Sequence, residues 1–399
     1  MSRSALTVAF SSLLALLSVP MAFAGDVEVR FYPERELWSH ALESQREMHS
    51  VVVQNTAIVN RSAEPVTVER LHFELLMDDS VIESRTLSTA TLERLAKGGA
   101  ALQQSGMLDV FAFQFAPEAL FGAAPHGLGG SRTLPPGGAL YVPTQLLAWQ
   151  GQVQSLRVRA DLAGASEPAV GSLPIRSGAA PGTWRFPLAG NWFVAAGATA
   201  HSHHRWAVPE EFALDILRLG VGGLSYRGNG QKMRDYYAYG APVLAAADGK
   251  VIKVHDREAD NVAMLRAPDE SLSDYNTRLR AGQDALLAGG PDRIAGNHVI
   301  IEHMVGTTAI YSVYAHLKPD SLRVKEGSQV KAGQVLGALG GSGNSTEPHL
   351  HFHLCNRPQV LQCAGIPVEF ANIELPWSDA PRPIQSGDLV EVLTEDQAP

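Results

Sequence analysis

One run constrains this chain more than any other: Thr346-Glu347-Pro348-His349-Leu350-His351-Phe352-His353-Leu354. A β-strand sends successive side chains to opposite faces. Read that way, Leu350, Phe352 and Leu354 form an apolar face that a sheet can bury. His349, His351 and His353 then share the other face, roughly 6–7 Å apart along the strand. An ordinary half-buried strand would carry Thr, Ser, Lys or Gln there. Imidazole is a good ligand for zinc, but one strand supplies only part of a coordination shell. The run therefore demands further ligands elsewhere in the chain.

The distribution of histidine narrows the search. His40, His49, His72 and His126 are scattered through the first part of the chain and read as ordinary surface or core residues. Ten of the fourteen histidines follow residues 177–182, Ser-Gly-Ala-Ala-Pro-Gly. Small residues with Gly and Pro suit a linker. Accordingly, the expected organisation is a domain over 25–176, a linker over 177–184, a second domain over 185–376 and a Pro- and acid-rich tail over 377–399.

Residues 1–24 read as a secretory signal peptide. Arg3 is followed by an apolar run and an Ala22-Phe23-Ala24 cleavage pattern. No later segment is apolar enough to span a membrane. The expected location is outside the cytoplasm, periplasmic or extracellular. In that setting Cys355 and Cys363 are expected to pair as a disulfide. The formal charge of −9 argues against a general nucleic-acid binder.

The fold class is expected to be mainly β. Strand patterns at 27–31, 50–59, 66–75 and 155–162, with turns between them, suggest an immunoglobulin-like sandwich. A helical insert is expected at 91–104. In the second domain, hairpins are expected over 242–254 and 321–339, strands at 297–303 and 309–316, and a helix or lid-like insert at 269–287. Residues 337–343 lack the Gly-Lys-Ser/Thr ending of a phosphate loop and read as a turn.

Four blocks, in order, carry a resemblance. They are Asn297-His298-Val299-Ile300-Ile301-Glu302-His303, Tyr314-Ala315-His316-Leu317, Val330-Lys331-Ala332-Gly333-Gln334-Val335-Leu336-Gly337 and Pro348-His349-Leu350-His351-Phe352-His353. Together they resemble the lysostaphin-type (LytM-like) zinc metalloendopeptidases, over roughly residues 190–375. The resemblance implies an antiparallel β-sheet peptidase domain and hydrolysis of peptidoglycan cross-link peptides. It also implies a zinc ion (Zn2+) held by a His, an Asp and the second His of an H-x-H strand.

Carried onto this chain, the resemblance makes His351 a metal ligand and His316 and His349 catalytic partners. The family's His-x-x-x-Asp would fall on Gln231 and Asp235, and Gln231 is a poor zinc ligand. A better pair lies upstream. Asp215 sits in an apolar strand pattern, where an unpartnered carboxylate would be costly. His204 is the preferred first ligand, with His203 next and His201 last. His353 is expected to support the site, and His298 and His303 to lie outside the ligand set. The alternative class is a non-catalytic relative that binds cell wall or activates another hydrolase.

Overall fold

The computed structural model describes residues 24–43, 48–122, 127–378 and 382–394. The signal segment, apart from Ala24, and His126 lie outside them. The architecture is mainly β. No helix among the described residues is long and apolar enough to cross a membrane.

Two sheets enclose the N-terminal core. In one, Met48–Asn60 is central and pairs with Val27–Tyr32, His40–Glu43 and Ala139–Gln150. In the other, Val66–Met77 lies between Ser80–Leu87 and Ser155–Leu162, and Ala169–Arg176 follows. Val51, Val53 and Ile58 of the first sheet meet Leu71, Phe73 and Val158 of the second in one buried cluster. The strand Ala139–Gln150 was not legible in the sequence, because Pro143 interrupts its pattern. Among the described residues its one strand partner is Met48–Asn60, with a single bridge from Ala139 to Leu128 on the other side, and proline is tolerated where a strand edge is free. The helical insert is present as Thr89–Gln104, capped by Ser88, whose hydroxyl accepts from the Thr91 amide. Leu92, Ala96, Gly99 and Ala100 form its buried stripe.

The C-terminal sheet is antiparallel. Its order is Gln329–Val330, Gly249–His255, Asn297–Val305, Thr308–Leu317, Leu350–Cys355, Leu214–Leu217, Asn191–Ala196, Leu389–Val392 and Ile373–Glu374. The histidine strand Leu350–Cys355 is thus held on both sides. Its apolar residues Leu350, Phe352 and Leu354 join a core with Trp192, Ile216 and Tyr314.

Three expectations need correction. The hairpin over 242–254 does not form: Pro242–Leu244 pairs with Val335–Ala338, whereas Gly249–His255 enters the large sheet. The hairpin over 321–339 fails for the same reason, since Gln329–Val330 pairs with Gly249–His255. The two corners bind each other instead. Ala245 donates to Gln334 O (2.9 Å), Gly333 donates to Ala245 O (2.8 Å), and Asp248 accepts from the Ala332 amide (2.8 Å). Each chain turn therefore crosses between sheets rather than folding back. Finally, the stretch set aside as a tail over 377–399 contributes Leu389–Val392 to the large sheet, with Val390 buried. Ala180 and Trp184, within the expected linker, are buried in that sheet's core.

Candidate metal centre

Sheet register builds the centre. Asp215 lies directly opposite His351, and Ala315 lies opposite His351 from the other side. Directly paired residues share a face, so Asp215, His351 and Ala315 form one row. His353 lies two residues along the same face. Alternation alone would send His316 away from Ala315. Yet both line the same cavity, of about 400 Å3. The Asn297–Val305 and Thr308–Leu317 pairing shifts register beside this point, and His316 takes a φ of 61°. A bulge of this kind re-aims a side chain. The left-handed conformation costs a non-glycine residue about 1–2 kcal/mol. His316 is held in it by the Gly340 amide, which donates to His316 O (3.1 Å), and by its own Nδ1, which donates to Ser342 O (2.9 Å).

Three imidazoles converge on Asp215. His351 Nδ1 is 3.0 Å from Oδ1, His349 Nε2 is 3.4 Å from Oδ1, and His204 Nε2 is 3.4 Å from Oδ2. Distance to the carboxylate therefore does not rank His204 above His349. Carbonyl contacts fix which nitrogens face inward. His204 Nδ1 donates to Ala213 O (3.1 Å), and His349 Nδ1 donates to Glu347 O (2.8 Å). A carbonyl only accepts, so both rings carry their proton on Nδ1 and turn Nε2 to the site. His351 Nε2 and His353 Nδ1 are 3.0 Å apart. Two tautomers suit His351: with the proton on Nδ1 it donates to Asp215, and with the proton on Nε2, donated to His353, its Nδ1 lone pair is free for a metal.

Electrostatics follow from this crowding. Burial alone would raise the Asp215 pKa, but the charges of His204 and His349, with hydrogen bonds from His349 and His351, hold it well below the usual range. His349 is shifted upward: burial opposes its charge, and Asp215 more than offsets that. His316 is pushed well below the usual imidazole value by burial, reinforced by His349 and His351. Burial also lowers His204, against the pull of Asp215. Asp215 pulls both catalytic candidates upward, but only at His349 does it outweigh burial, so the two imidazoles are shifted in opposite directions.

The histidine face is roofed rather than open, which strand alternation could not reveal. All six residues of Leu350–Cys355 are buried. Val360 and Leu361 line the cavity, as do Ile294, Ala295 and Gln283. Cys355 and Cys363 are joined as a disulfide. It closes the loop that carries Val360 and Leu361. The insert expected at 269–287 is the helix Leu272–Ala288, and through Gln283 it reaches the cavity wall.

Two imidazole nitrogens and a carboxylate are a donor set that suits zinc, with room for a fourth ligand. Asp215 is the fit test: a half-buried carboxylate ringed by imidazoles and lacking any Lys or Arg partner among its contacts. His203 is exposed beside the site, and His203, His204 and Asp215 bring donor atoms within 4.8 Å of one another. His201 instead faces Thr199, 3.4 Å from its hydroxyl. Asp235 caps the short helix Met233–Asp235, where it accepts from the Lys232 amide (3.1 Å), and Gln231 donates to Arg266 O. Neither lines the cavity. His298 and His303 are bonded elsewhere, to Gly296 O, and to Asp248 O and the Ser312 hydroxyl.

Comparison with known proteins now bears on this geometry. Residues 280–362 match the model of Peptidase family M23. The peptidoglycan DD-endopeptidase ShyB of Vibrio cholerae is 40% identical over 77 residues, 18% of this chain and 17% of that protein. Cell division protein DipM of Caulobacter vibrioides is 30% identical over 145 residues, 36% of this chain and 17% of that protein. The DD-carboxypeptidase/endopeptidase Mpg of Neisseria meningitidis is 33% identical over 101 residues, a quarter of this chain and a fifth of that protein. The chain thus spans a fifth or less of the length of these relatives. The matched family segment contains His316, His349 and His351 but stops short of His204 and Asp215. Residues 280–362 are a Peptidase family M23 domain, built around the strand that carries the histidine run.

Proposed function

We propose that this protein is an exported zinc metalloendopeptidase that hydrolyses peptide bonds in peptidoglycan cross-links. His204, Asp215 and His351 are the metal ligands in this reading, and His316 and His349 act on the substrate. The observation that carries it is the convergence of His204 Nε2 and His351 Nδ1 on the Asp215 carboxylate. The M23 match and the DD-endopeptidase relatives support peptidoglycan as the substrate class. The N-terminal segment supports export to the periplasm or exterior. The two N-terminal sheets are read as an immunoglobulin-like sandwich.

A zinc ion held by these ligands would supply Lewis acidity to a scissile carbonyl and an attacking water. The chain's own residues divide the proton work. His316, neutral and with its proton on Nδ1, offers the Nε2 lone pair to the cavity and accepts a proton there. His349 in its protonated form donates from Nε2 and stabilises developing negative charge on the substrate oxygen. The apolar roof of Ile294, Val360 and Leu361 excludes water and strengthens both effects.

The test is incubation of the purified full chain with peptidoglycan sacculi. Released peptides that disappear in His351→Ala support the reading. Binding to sacculi without release, in protein shown to contain zinc, would instead favour a non-catalytic wall-binding or hydrolase-activating role.

A further inference from the structure

The segment that presents His204 has little structure of its own. Between Asn191–Ala196 and Leu214–Leu217 its one regular element is the single turn His204–Trp206. One turn does not hold a side chain in place unaided. The N-terminal unit does so.

Five hydrogen bonds and one apolar contact reach across. Gln54 Nε2 donates to Arg205 O (3.0 Å) and to Glu211 Oε2 (3.2 Å). Gln114 brackets the next residues, with Nε2 donating to Trp206 O (3.0 Å) and Oε1 accepting from the Val208 amide (2.8 Å). Arg205, 1% exposed, donates to the Ser50 hydroxyl (3.1 Å) as well as to Glu211 (2.5 Å). Val208, also 1% exposed, packs among Tyr32, Ala57, Leu120 and Tyr141 of the N-terminal unit. Gln114 is itself fixed, because Asn55 Nδ2 donates to its carbonyl (2.9 Å). These contacts explain an odd feature of Met48–Asn60. Ser50 and Gln54 lie on the face opposite Val51 and Val53, where a two-sheet core would leave polar groups in water, yet both are buried. Their solvent has been replaced by the His204 segment.

We propose that the N-terminal unit positions the metal site: Gln54 and Gln114 clamp the main chain around Arg205 and Trp206 and so set where His204 presents Nε2. This rests on His204 being a metal ligand. On this account the peptidase sheet alone lacks a fully formed centre. Three of the contacts from Gln54 and Gln114 are to backbone atoms, so the side chains of the clamped residues carry no obvious signature of them.

The test uses the full chain with Gln54→Ala and Gln114→Ala combined. Two quantities are read: hydrogen exchange of amides 203–208, and zinc affinity by chelator competition. Exchange should rise at 203–208 and stay unchanged in Leu350–Cys355. Zinc affinity should fall about tenfold or more, as for other groups that orient a ligand. Val158→Ala, which thins the N-terminal core away from the clamp, should leave zinc affinity unaltered. Unchanged exchange at 203–208, or an equal loss of zinc affinity in Val158→Ala, would overturn the proposal. A wild-type chain that binds no zinc, combined with raised exchange at 203–208 in the double variant, would overturn the zinc reading while supporting the clamp. Should the double variant not fold, Ser50→Ala is put through the same exchange measurement, and no rise at 203–208 would overturn the proposal.

Discussion

Among the described residues, histidines gather on the C-terminal sheet around Asp215 and around His298, and the first cluster has the makings of a metal centre. Around Asp215, three imidazoles face one carboxylate that has no Lys or Arg partner among the described residues. Around His298, the ring stacks on His255 at 5.3 Å and 10°, and its Nε2 has no hydrogen-bond partner. The nearest carboxylate there, Asp292, is 3.7 Å from that nitrogen and is paired with Lys253 at 2.5 Å. The His298 cluster is the smaller, with two rings of which His255 is only partly buried. It differs above all in its carboxylate, which is neutralised by a lysine rather than left for a cation. A histidine-rich sheet therefore becomes a candidate centre through the placement of one acid.

The largest effect expected is at His204. His204→Ala should lower zinc affinity by more than about a hundredfold, beyond the range for residues that only orient a ligand. His349→Ala, equally close to Asp215, should keep its zinc but lose about 10²–10⁴-fold in peptide release. Chelator competition and sacculus turnover on both variants break the tie that distance leaves. If His349→Ala loses zinc and His204→Ala keeps it, their roles are exchanged.

His353→Phe sharpens the comparison from the supporting side. It removes the acceptor for His351 Nε2, so zinc affinity should fall about 10–100-fold while melting temperature changes little. An unaltered affinity would show that His351 needs no such partner.

The smallest effect on the metal is expected from the other cluster. His298→Leu should leave zinc content unchanged, read by elemental analysis. Its consequence is on acid stability. Burial lowers the His298 pKa from 6.5 to about 4, so the unfolded chain binds the extra proton first. Stability supplied by the neutral ring is present above pH 6.5 and is lost as pH falls toward 4. Denaturant unfolding at pH 7 and pH 4 should show a smaller acid loss in His298→Leu than in wild type, by on the order of 1–3 kcal/mol.

How far the sequence foretold this arrangement depends on which contacts made it. Alternation along the histidine run predicted its apolar face, since Leu350, Phe352 and Leu354 need only a local period of two. The cost of an unpartnered carboxylate pointed to Asp215, and the structure places it opposite His351. What remained hidden is non-local or conformational. The φ of His316 is set by a register shift and by Gly340 and Ser342, more than twenty residues away. The roof of Val360 and Leu361 depends on a loop closure. The hairpin expected over 242–254 failed because its corner binds 332–334 rather than its own strand. The clamp from Gln54 and Gln114 reaches backbone atoms 92–151 residues away in sequence, which no local pattern encodes.

The central claim is that Asp215 organises a zinc site. It is tested most directly by the metal content of freshly purified wild-type and Asp215→Asn protein, measured by elemental analysis. The account predicts about one zinc per wild-type chain and essentially none in the variant. Zinc absent from the wild type, or equal in the two proteins, would contradict it.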